Sequence, residues 1–464
     1  MKVSPARAAA FDALLRVERD AAFATDALDA ILRRSAAARD DAALATELTL
    51  GVLRWRGLLD FLIERCTSRS VETLDREVLL ALRLGLYQLR YLSRVPASAA
   101  VNESVELVKR ARKSSAAALV NAALRRAAAD ATLRDAAEGF VPPDYSVAER
   151  LALAGSHPRW LVERWLARFG AEEVRGLLEA NNRPPRWTAA IQSPSMVETA
   201  VAELNQLGCQ PAPGRWLASA VELHSLPRRG SGRGGATHAA GGAWWFLQDE
   251  ASQMIPLLLD IRRGQYVLDL CAAPGGKTAR LIQQRDAGPG GIIACDVHLH
   301  RLRQMRAFLT SVGAGAADYV ALDGTRPLPF GTRFDRILVD APCSGTGTLA
   351  RNPEIRWRLK AEDLTALAEK QRALLLRGLE QLAPGGRLVY STCSLEPEEN
   401  EEVIAAALAA HPAARRVSGA EALAPHLRPG IEARALFDSR GDFRTLPRSH
   451  GTDGFFAAVL ETRR

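Results

Sequence analysis

The sequence predicts a multidomain protein in which an all-α helical bundle precedes an α/β domain built on a doubly wound, mostly parallel sheet. Three observations lead there. At 464 residues the chain exceeds what one hydrophobic core organises, roughly 100 to 200 residues per domain. Up to about Phe140 only Pro5 and Pro96 interrupt a pattern of apolar residues at helical spacing. From Ala243 onward short apolar runs alternate with longer amphipathic ones, the signature of strands separated by helices.

The bundle occupies 1–140, where segments such as LTLGVLRWRGLLDFLIERC and REVLLALRLGLYQLRYL carry the helical pattern. VPPDYS supplies a Pro-rich break, and SHPRWLVERWLARFG and AEEVRGLLEANN then predict two more helices ending at NNRPP. They open a second part, 146–242, that continues in short mixed segments. It closes on PRRGSGRGGATHAAGGA, at 227–243, which has no apolar periodicity and predicts a flexible linker or loop. The third part, 243–464, has strands predicted at YVLDLC, GIIACDV, DYVAL, RILVDAP, GRLVYSTC and FFAAVLE. Ligands of such sheets sit beyond the carboxyl ends of the strands, so motifs at those ends share one rim.

Composition narrows the function classes. Apolar residues at 47% and charged ones at 25% are those of an ordinary globular protein, not of a disordered or fibrous chain. No run approaches the ~18 apolar residues of a membrane span. The start, MKVSPARAAAFDALLRVERD, reads as an amphipathic helix rather than a secretion signal. Six cysteines without a C-x-x-C pair support neither a disulfide framework nor a metal site, and predict reduced thiols in a cytoplasmic protein. The net charge of +8 is concentrated. Between Arg83 and Arg126 stand nine basic residues (Arg83, Arg90, Arg94, Lys109, Arg110, Arg112, Lys113, Arg125, Arg126) against Glu103 and Glu106, which suits either a polyphosphate partner or a solvated helical face.

Three features carry chemistry. In LDLCAAPGGKT, Leu268 to Thr278, a strand runs into a Pro-Gly-Gly turn and a helix, and Gly275 and Gly276 let a ligand approach the first amides of that helix. The spacing is neither that of a phosphate loop nor that of a dinucleotide fingerprint. Asp296, Asp323 and Asp340 each end a predicted strand, and an acid after the second strand can bind a ribose diol; each can also cap a turn. Finally, DAPCSGTG (Asp340 to Gly347) and STCS (Ser391 to Ser394) place Cys343 and Cys393 just past buried strands, fifty residues apart. A cysteine flanked by Pro, Ser and Gly in a polar turn is a poor core residue, so both thiols are expected to face one pocket.

These motifs resemble the RNA 5-cytosine methyltransferase family. AAPGGKT at Ala272 to Thr278, DAPCSGTG, RNPEIRW at Arg351 to Trp357, TCS with a trailing EPEEN, QDEASQ at Gln248 to Gln253 and HGTDGFFAAVL at His450 to Leu460 are its elements, so the resemblance covers about Ala243 to the end. ELTLGVLR and LVNAALRR resemble the NusB-like RNA-binding helical domain. Their joining in this order is that of bacterial members acting on small-subunit (16S) ribosomal RNA. After NNRPP the chain reads RWTAAIQ where the family has Arg-Val-Asn, and no RNA contact is carried onto Trp187 to Gln192.

The resemblance implies S-adenosyl-L-methionine held by Cys271, Ala272, Ala273, Pro274, Gly275, Gly276 and Lys277, with Asp296 at the ribose, Asp323 near the adenine, Arg301 beside them and Asp340 at the amino group or the base edge. It makes Cys393 the nucleophile and gives Cys343 a part in releasing the product; spacing alone does not choose between the two thiols. Carbon 5 of cytosine is a poor nucleophile until a thiolate adds to carbon 6, which is why such an enzyme needs the cysteine. The substrate base must leave any stack, so unpaired RNA is expected. A monomer with RNA as partner, no membrane and no metal completes the expectation. Two other readings weigh against it: an amino-group methyltransferase, which would use a D-P-P-Y type turn, and a non-catalytic RNA-binding or assembly factor, which would not need Cys393 and Asp340. A transfer RNA substrate is the alternative within the same chemistry.

Overall fold

A computed structural model of the chain describes residues 3–35, 38–226, 245–284 and 290–463. The Gly/Arg-rich stretch at 227–243 lies outside the described residues. The chain divides into two units, Met1–Pro184 with Leu349–Arg358, and Pro185–Thr348 with Leu359–Arg464. The part expected at 146–242 is thereby shared between them.

In the first unit, helices at Pro5–Asp20, Ala24–Ser35, Arg39–Arg54, Arg56–Thr67, Arg76–Tyr91, Ala97–Arg110 and Ala117–Ala129 form the predicted bundle. Their apolar faces meet in a main core that includes Phe11, Leu14, Leu48, Leu62, Leu84, Leu107 and Leu124, and a smaller cluster around Leu28 and Leu32 joins the first three helices. Arg76–Tyr91 is its axis. Twelve of its sixteen residues are buried, so the helix is enclosed on nearly every side and its Arg83, Gln88 and Arg90 must find partners inside. Ser146 and Glu149 form a capping box that starts Val147–Ala154. The two helices predicted before NNRPP form as Arg159–Asn182, broken at Gly170, where φ of 77° departs from helical geometry.

Burial corrects the sequence-based charge count. Arg83 is 2% exposed and donates to Asp60 at 2.6 Å and to Glu18 at 3.1 Å. Arg90 is buried, donates to the Leu133 and Asp135 carbonyls, and lies over the Phe140 ring. Both hold the core together and offer nothing to a partner. Lys109, Arg110 and Arg112 remain exposed, with Lys113 beside them, although Lys109 pairs with Glu106, Arg110 with Asp12 and Lys113 with Asp75.

The second unit holds two sheets. Strands β1 (Trp187–Ile191), β2 (Pro211–Pro213), β3 (Ala220–Leu223) and β4 (Trp245–Leu247) form an antiparallel sheet in the order β2-β3-β1-β4. The helix Val197–Gln206 packs Ala200 and Leu204 against it. The larger sheet contains β5 (Tyr266–Asp269), β6 (Gly291–Asp296), β7 (Asp318–Ala321), β8 (Phe334–Asp340), β9 (Leu382–Thr392), β10 (Ala414–Val417), β11 (Phe443–Thr445) and β12 (Phe455–Thr462).

Its order is β10-β12-β9-β8-β5-β6-β7, with β11 beside β12. The five strands β7, β6, β5, β8 and β9 run parallel, and β12 enters antiparallel to β9. All six predicted strands are present. The two that prediction missed, β10 (ARRV) and β11 (FRT), are short and half polar, and join the sheet through β12. From β5 the chain winds outward through β6 and β7, then crosses back to β8 and β9. The crevice between β5 and β8 is therefore the switch point, where this topology places ligands. Among the described residues no helix is long and apolar enough to cross a membrane.

Candidate active site

The loop after β5 opens the site. Leu270 and Ala272 anchor it, their amides donating to the Leu338 and Cys295 carbonyls. Gly275, at φ of 110°, turns the chain into the helix Gly276–Gln284, and a side chain at that position would press on Met305. Asp296, at the end of β6 and 5% exposed, accepts from the His298 amide at 2.9 Å and from Arg301 at 3.0 Å. Arg301 also donates to the Ala273 carbonyl, so one guanidinium joins the strand-end acid to the glycine turn. Asp323 is not drawn in: it is exposed and accepts from the amide and hydroxyl of Thr325, which hold its carboxyl below the usual range. It caps a turn.

Lys277 follows the turn but reaches the next strand, with its ammonium 2.7 Å from Asp340 and over the Phe455 ring. Burial alone would lower its pKa, yet Asp340, with Cys393 and Asp269, carries it above the ordinary lysine value. The other Asp340 oxygen accepts from Ser391 at 2.7 Å. Cys271, half-buried, has its thiol pushed well up by burial and by the charges of Asp269, Asp340 and Asp296.

The two motif cysteines do meet. Cys343 Sγ lies 3.4 Å from Cys393 Sγ, and both are half-buried. The Cys343 thiol is pushed well above its ordinary pKa, first by its hydrogen bond to Cys393 and by burial, then by the charges of Cys393 and Glu399. Their loops are stitched together by backbone: Gly347 donates to the Cys393 carbonyl at 2.9 Å and accepts from Gly454 at 2.8 Å. A side chain on Gly347 would run into the Gly454 carbonyl. The glycines of DAPCSGTG and HGTDGFF thus serve one close approach.

Sequence reasoning missed two buried carboxylates here. Glu399, fully buried, accepts from the Ser344 amide at 2.8 Å, from Gln371 at 2.9 Å and from the hydroxyls of Ser344 and Ser394. The EPEEN run that trails the TCS turn was a usable signal. Next to it, Asn400 accepts from Thr392 at 2.6 Å and donates to the Ser394 carbonyl at 2.9 Å.

The other is Asp269, at the end of β5. It accepts from Thr278 at 2.6 Å through one oxygen, while the other is buried with no hydrogen-bond partner among the described residues. Burial, helped by the charge of Asp340, pushes its carboxyl up to about 7 against the pull of the Thr278 bond and the Lys277 charge. A carboxyl raised on folding is bound to its proton more tightly in the folded state. Its contribution is fully present below the unfolded value near 3.8 and is lost as pH rises through about 7. Asp269→Asn is therefore expected to flatten the fall in stability between those pH values, a difference of between about 1 and 4 kcal/mol at pH 8, read from denaturant unfolding across pH.

RNPEIRW has a different place from the other motifs. It belongs to the helical unit, where Arg356 is fully buried and donates to the carbonyls of Arg54, Ser156, Asn181 and Leu349 and to Asn182 Oδ1. Glu354 accepts from the Ala24 amide at 2.9 Å, and Trp357 donates to the Leu53 carbonyl at 2.6 Å. Nothing in the sequence pattern distinguishes this burial from a catalytic contact.

A glycine turn at the switch point, a buried acid at the next strand end and an unpartnered carboxylate oxygen between them fit a charged nucleoside, and on this sheet they define an S-adenosylmethionine-dependent methyltransferase. The model of the 16S rRNA methyltransferase RsmB/F family matches residues 256–461, that of the NusB family 4–129, and that of the RsmF/B-like ferredoxin-like domain 157–227. The ribosomal RNA small subunit methyltransferase B of Pseudomonas putida is 34% identical over 429 residues, 90% of each chain. That of Klebsiella pneumoniae is 34% identical over 436 residues, 91% of each. A solved methyltransferase homolog from Pyrococcus horikoshii is 30% identical, with a TM-score of 0.55 over 69% of this chain and all of its own. The chain belongs to the RsmB/F methyltransferase family.

Proposed function

We propose that this methyltransferase modifies carbon 5 of a cytosine in small-subunit (16S) ribosomal RNA through a covalent bond from Cys393 to carbon 6. The observation that carries the proposal is the thiol pair, Cys343 and Cys393 at 3.4 Å beside the Lys277–Asp340 ion pair. Methyl transfer to an amino group or a ribose oxygen would need no sulfur there, and a binding protein would need neither thiol. The named relatives supply the substrate class.

Bound at the turn from Cys271 to Lys277 and at Asp296, S-adenosylmethionine supplies an electrophilic methyl group. The chain does the rest. A lone pair of the Cys393 thiolate forms the bond to carbon 6, and the displaced π electrons make carbon 5 nucleophilic. Asp340 has lone pairs beyond those used by Lys277 and Ser391, so it can accept from the exocyclic amino group of the base. After methylation carbon 5 loses its proton to solvent, the double bond reforms, and the carbon–sulfur bond breaks. Cys343 donates its S–H to the departing sulfur and stabilises it as a thiolate.

The direct test uses ribosomal RNA labelled with tritium at carbon 5 of cytosine. Each methyl group added at carbon 5 must release one tritium to water; methylation without release would overturn the proposal. The division of labour belongs to the same proposal: 1–140 binds flanking RNA through phosphates, 146–242 extends the contact, and 243–464 performs the chemistry, in a cytoplasmic monomer. Replacing Lys109, Arg110, Arg112 and Lys113 with Gln should then flatten the slope of log affinity against log salt by roughly 0.7 to 0.9 for each phosphate that is no longer neutralised. An unaltered slope would leave these residues as a solvated face.

A further inference from the structure

Glu399 is a fully buried carboxylate that makes no ion pair among the described residues. It sits between the two thiol loops. One oxygen takes the Ser344 amide and Gln371 Nε2, and the other takes the hydroxyls of Ser344 and Ser394. Ser344 follows Cys343 and Ser394 follows Cys393, so one side chain holds the neighbour of each sulfur. The frame behind it is rigid: Tyr390 donates to the Glu399 carbonyl at 2.6 Å, and Gln371 also binds the Pro342 carbonyl at 2.9 Å. A buried carboxylate is costly unless its charge is used. The four donors that Glu399 accepts from are uncharged, so they meet its hydrogen-bonding need and leave its charge unpaired.

We propose that Glu399 is a positioning residue for the thiol pair, whose shape sets the separation of the two sulfurs and whose negative charge keeps their shared proton on Cys343, leaving Cys393 as the sulfur that attacks. This rests on the covalent reading above and adds the reason for the division of roles. The charges facing the pair are unequal. Glu399 takes both the amide and the hydroxyl of Ser344, next to Cys343, but only the hydroxyl of Ser394, next to Cys393, and its charge pushes the Cys343 thiol up; Cys393 in turn is among the groups that raise the Lys277 ammonium. Asp340 holds Lys277 in place from β8, and Tyr390 on β9 adds a neutral phenol. With the proton on Cys343, the S–H points along the 3.4 Å line to Cys393 and is in place to meet that sulfur again when it leaves.

The test measures the thiols themselves, without RNA or cofactor. The full-length protein is treated briefly with iodoacetamide, and the modified fraction at Cys343 and at Cys393 is read by peptide mass spectrometry. In the parent protein Cys393 should react faster. Glu399→Gln keeps the shape: its carbonyl oxygen can accept from the Ser344 amide and Gln371, and its amide can donate to the two hydroxyls. It loses only the charge, so the Cys393 to Cys343 rate ratio should fall by about fivefold or more, because alkylation follows the thiolate fraction. Ser394→Ala, which removes the hydroxyl that bonds Glu399, Ser344, Thr346 and the Glu396 amide but leaves the charge of Glu399, should keep the ratio within about twofold.

A Glu399→Gln protein that folds and keeps the parent ratio would show that Glu399 is only a packing element and would overturn the inference. Faster alkylation of Cys343 in the parent protein would overturn it whether or not any variant folds. Neither result touches the tritium-release test, so failure here is distinguishable from failure of the covalent reading.

Discussion

Cys393→Ala is expected to lower methylation by about 10⁴-fold or more, the scale on which loss of a covalent nucleophile acts, and to form no protein–RNA adduct. Cys343→Ala should behave in the opposite way. It keeps the attacking sulfur, so it adds to the base and methylates it, but it lacks the S–H that meets the leaving sulfur at 3.4 Å. The variant should accumulate as protein joined to RNA, seen as a slow band on a denaturing gel after incubation with S-adenosylmethionine. The double variant should show no band, because trapping requires the attack. If Cys393→Ala traps RNA and Cys343→Ala is inert, the roles are reversed; if neither change affects methylation, thiol addition is abandoned.

The second large effect lies in the helical unit. Arg356→Ala removes a side chain whose guanidinium is bonded to four carbonyl oxygens and the Asn182 amide oxygen, all of which would lose that partner inside the protein. A buried acceptor left unsatisfied costs about 1 to 3 kcal/mol, and partial relaxation brings the expected total to about 3 to 5 kcal/mol. Arg356→Lys should recover little, because an ammonium has three donors and cannot reproduce the planar fork. Thermal unfolding of the full chain measures both. A change under about 1 kcal/mol for Arg356→Ala would mean that water replaces the guanidinium at these carbonyls.

These predictions differ in how they could have been reached. The thiol pair was legible because each cysteine stands in a Ser-containing turn at the end of an apolar run, and strand ends in a parallel sheet share a rim whatever the details of packing. The glycine turn and Asp296 follow from the same local logic. The six long strands and the helical bundle were legible because apolar periodicity is a property of neighbours along the chain. The short β10 and β11 escaped because pairing with β12, and not their own composition, makes them strands.

Charge needed the fold most. Arg83 and Arg90 read as surface cations until a helix buried on nearly every side gives them Asp60, Glu18 and two carbonyls. Asp323 reads like Asp296, yet only Asp296 meets an arginine bound to the glycine turn. Arg356 sits in a motif shared with the catalytic segment but packs among helices from the other end of the chain. Glu399 lies one residue from Glu398 in EPEEN, and only the fold turns one of these acids between two thiol loops. By itself, then, the sequence determined the helical bundle, the six long strands and their order, and which motif residues stand at the strand ends, because these depend on residues close along the chain. The tertiary structure decided which charges are buried, which carboxylate faces which thiol and which unit holds Arg356, because the free energy of a charge depends on partners and solvent brought to it from distant parts of the sequence.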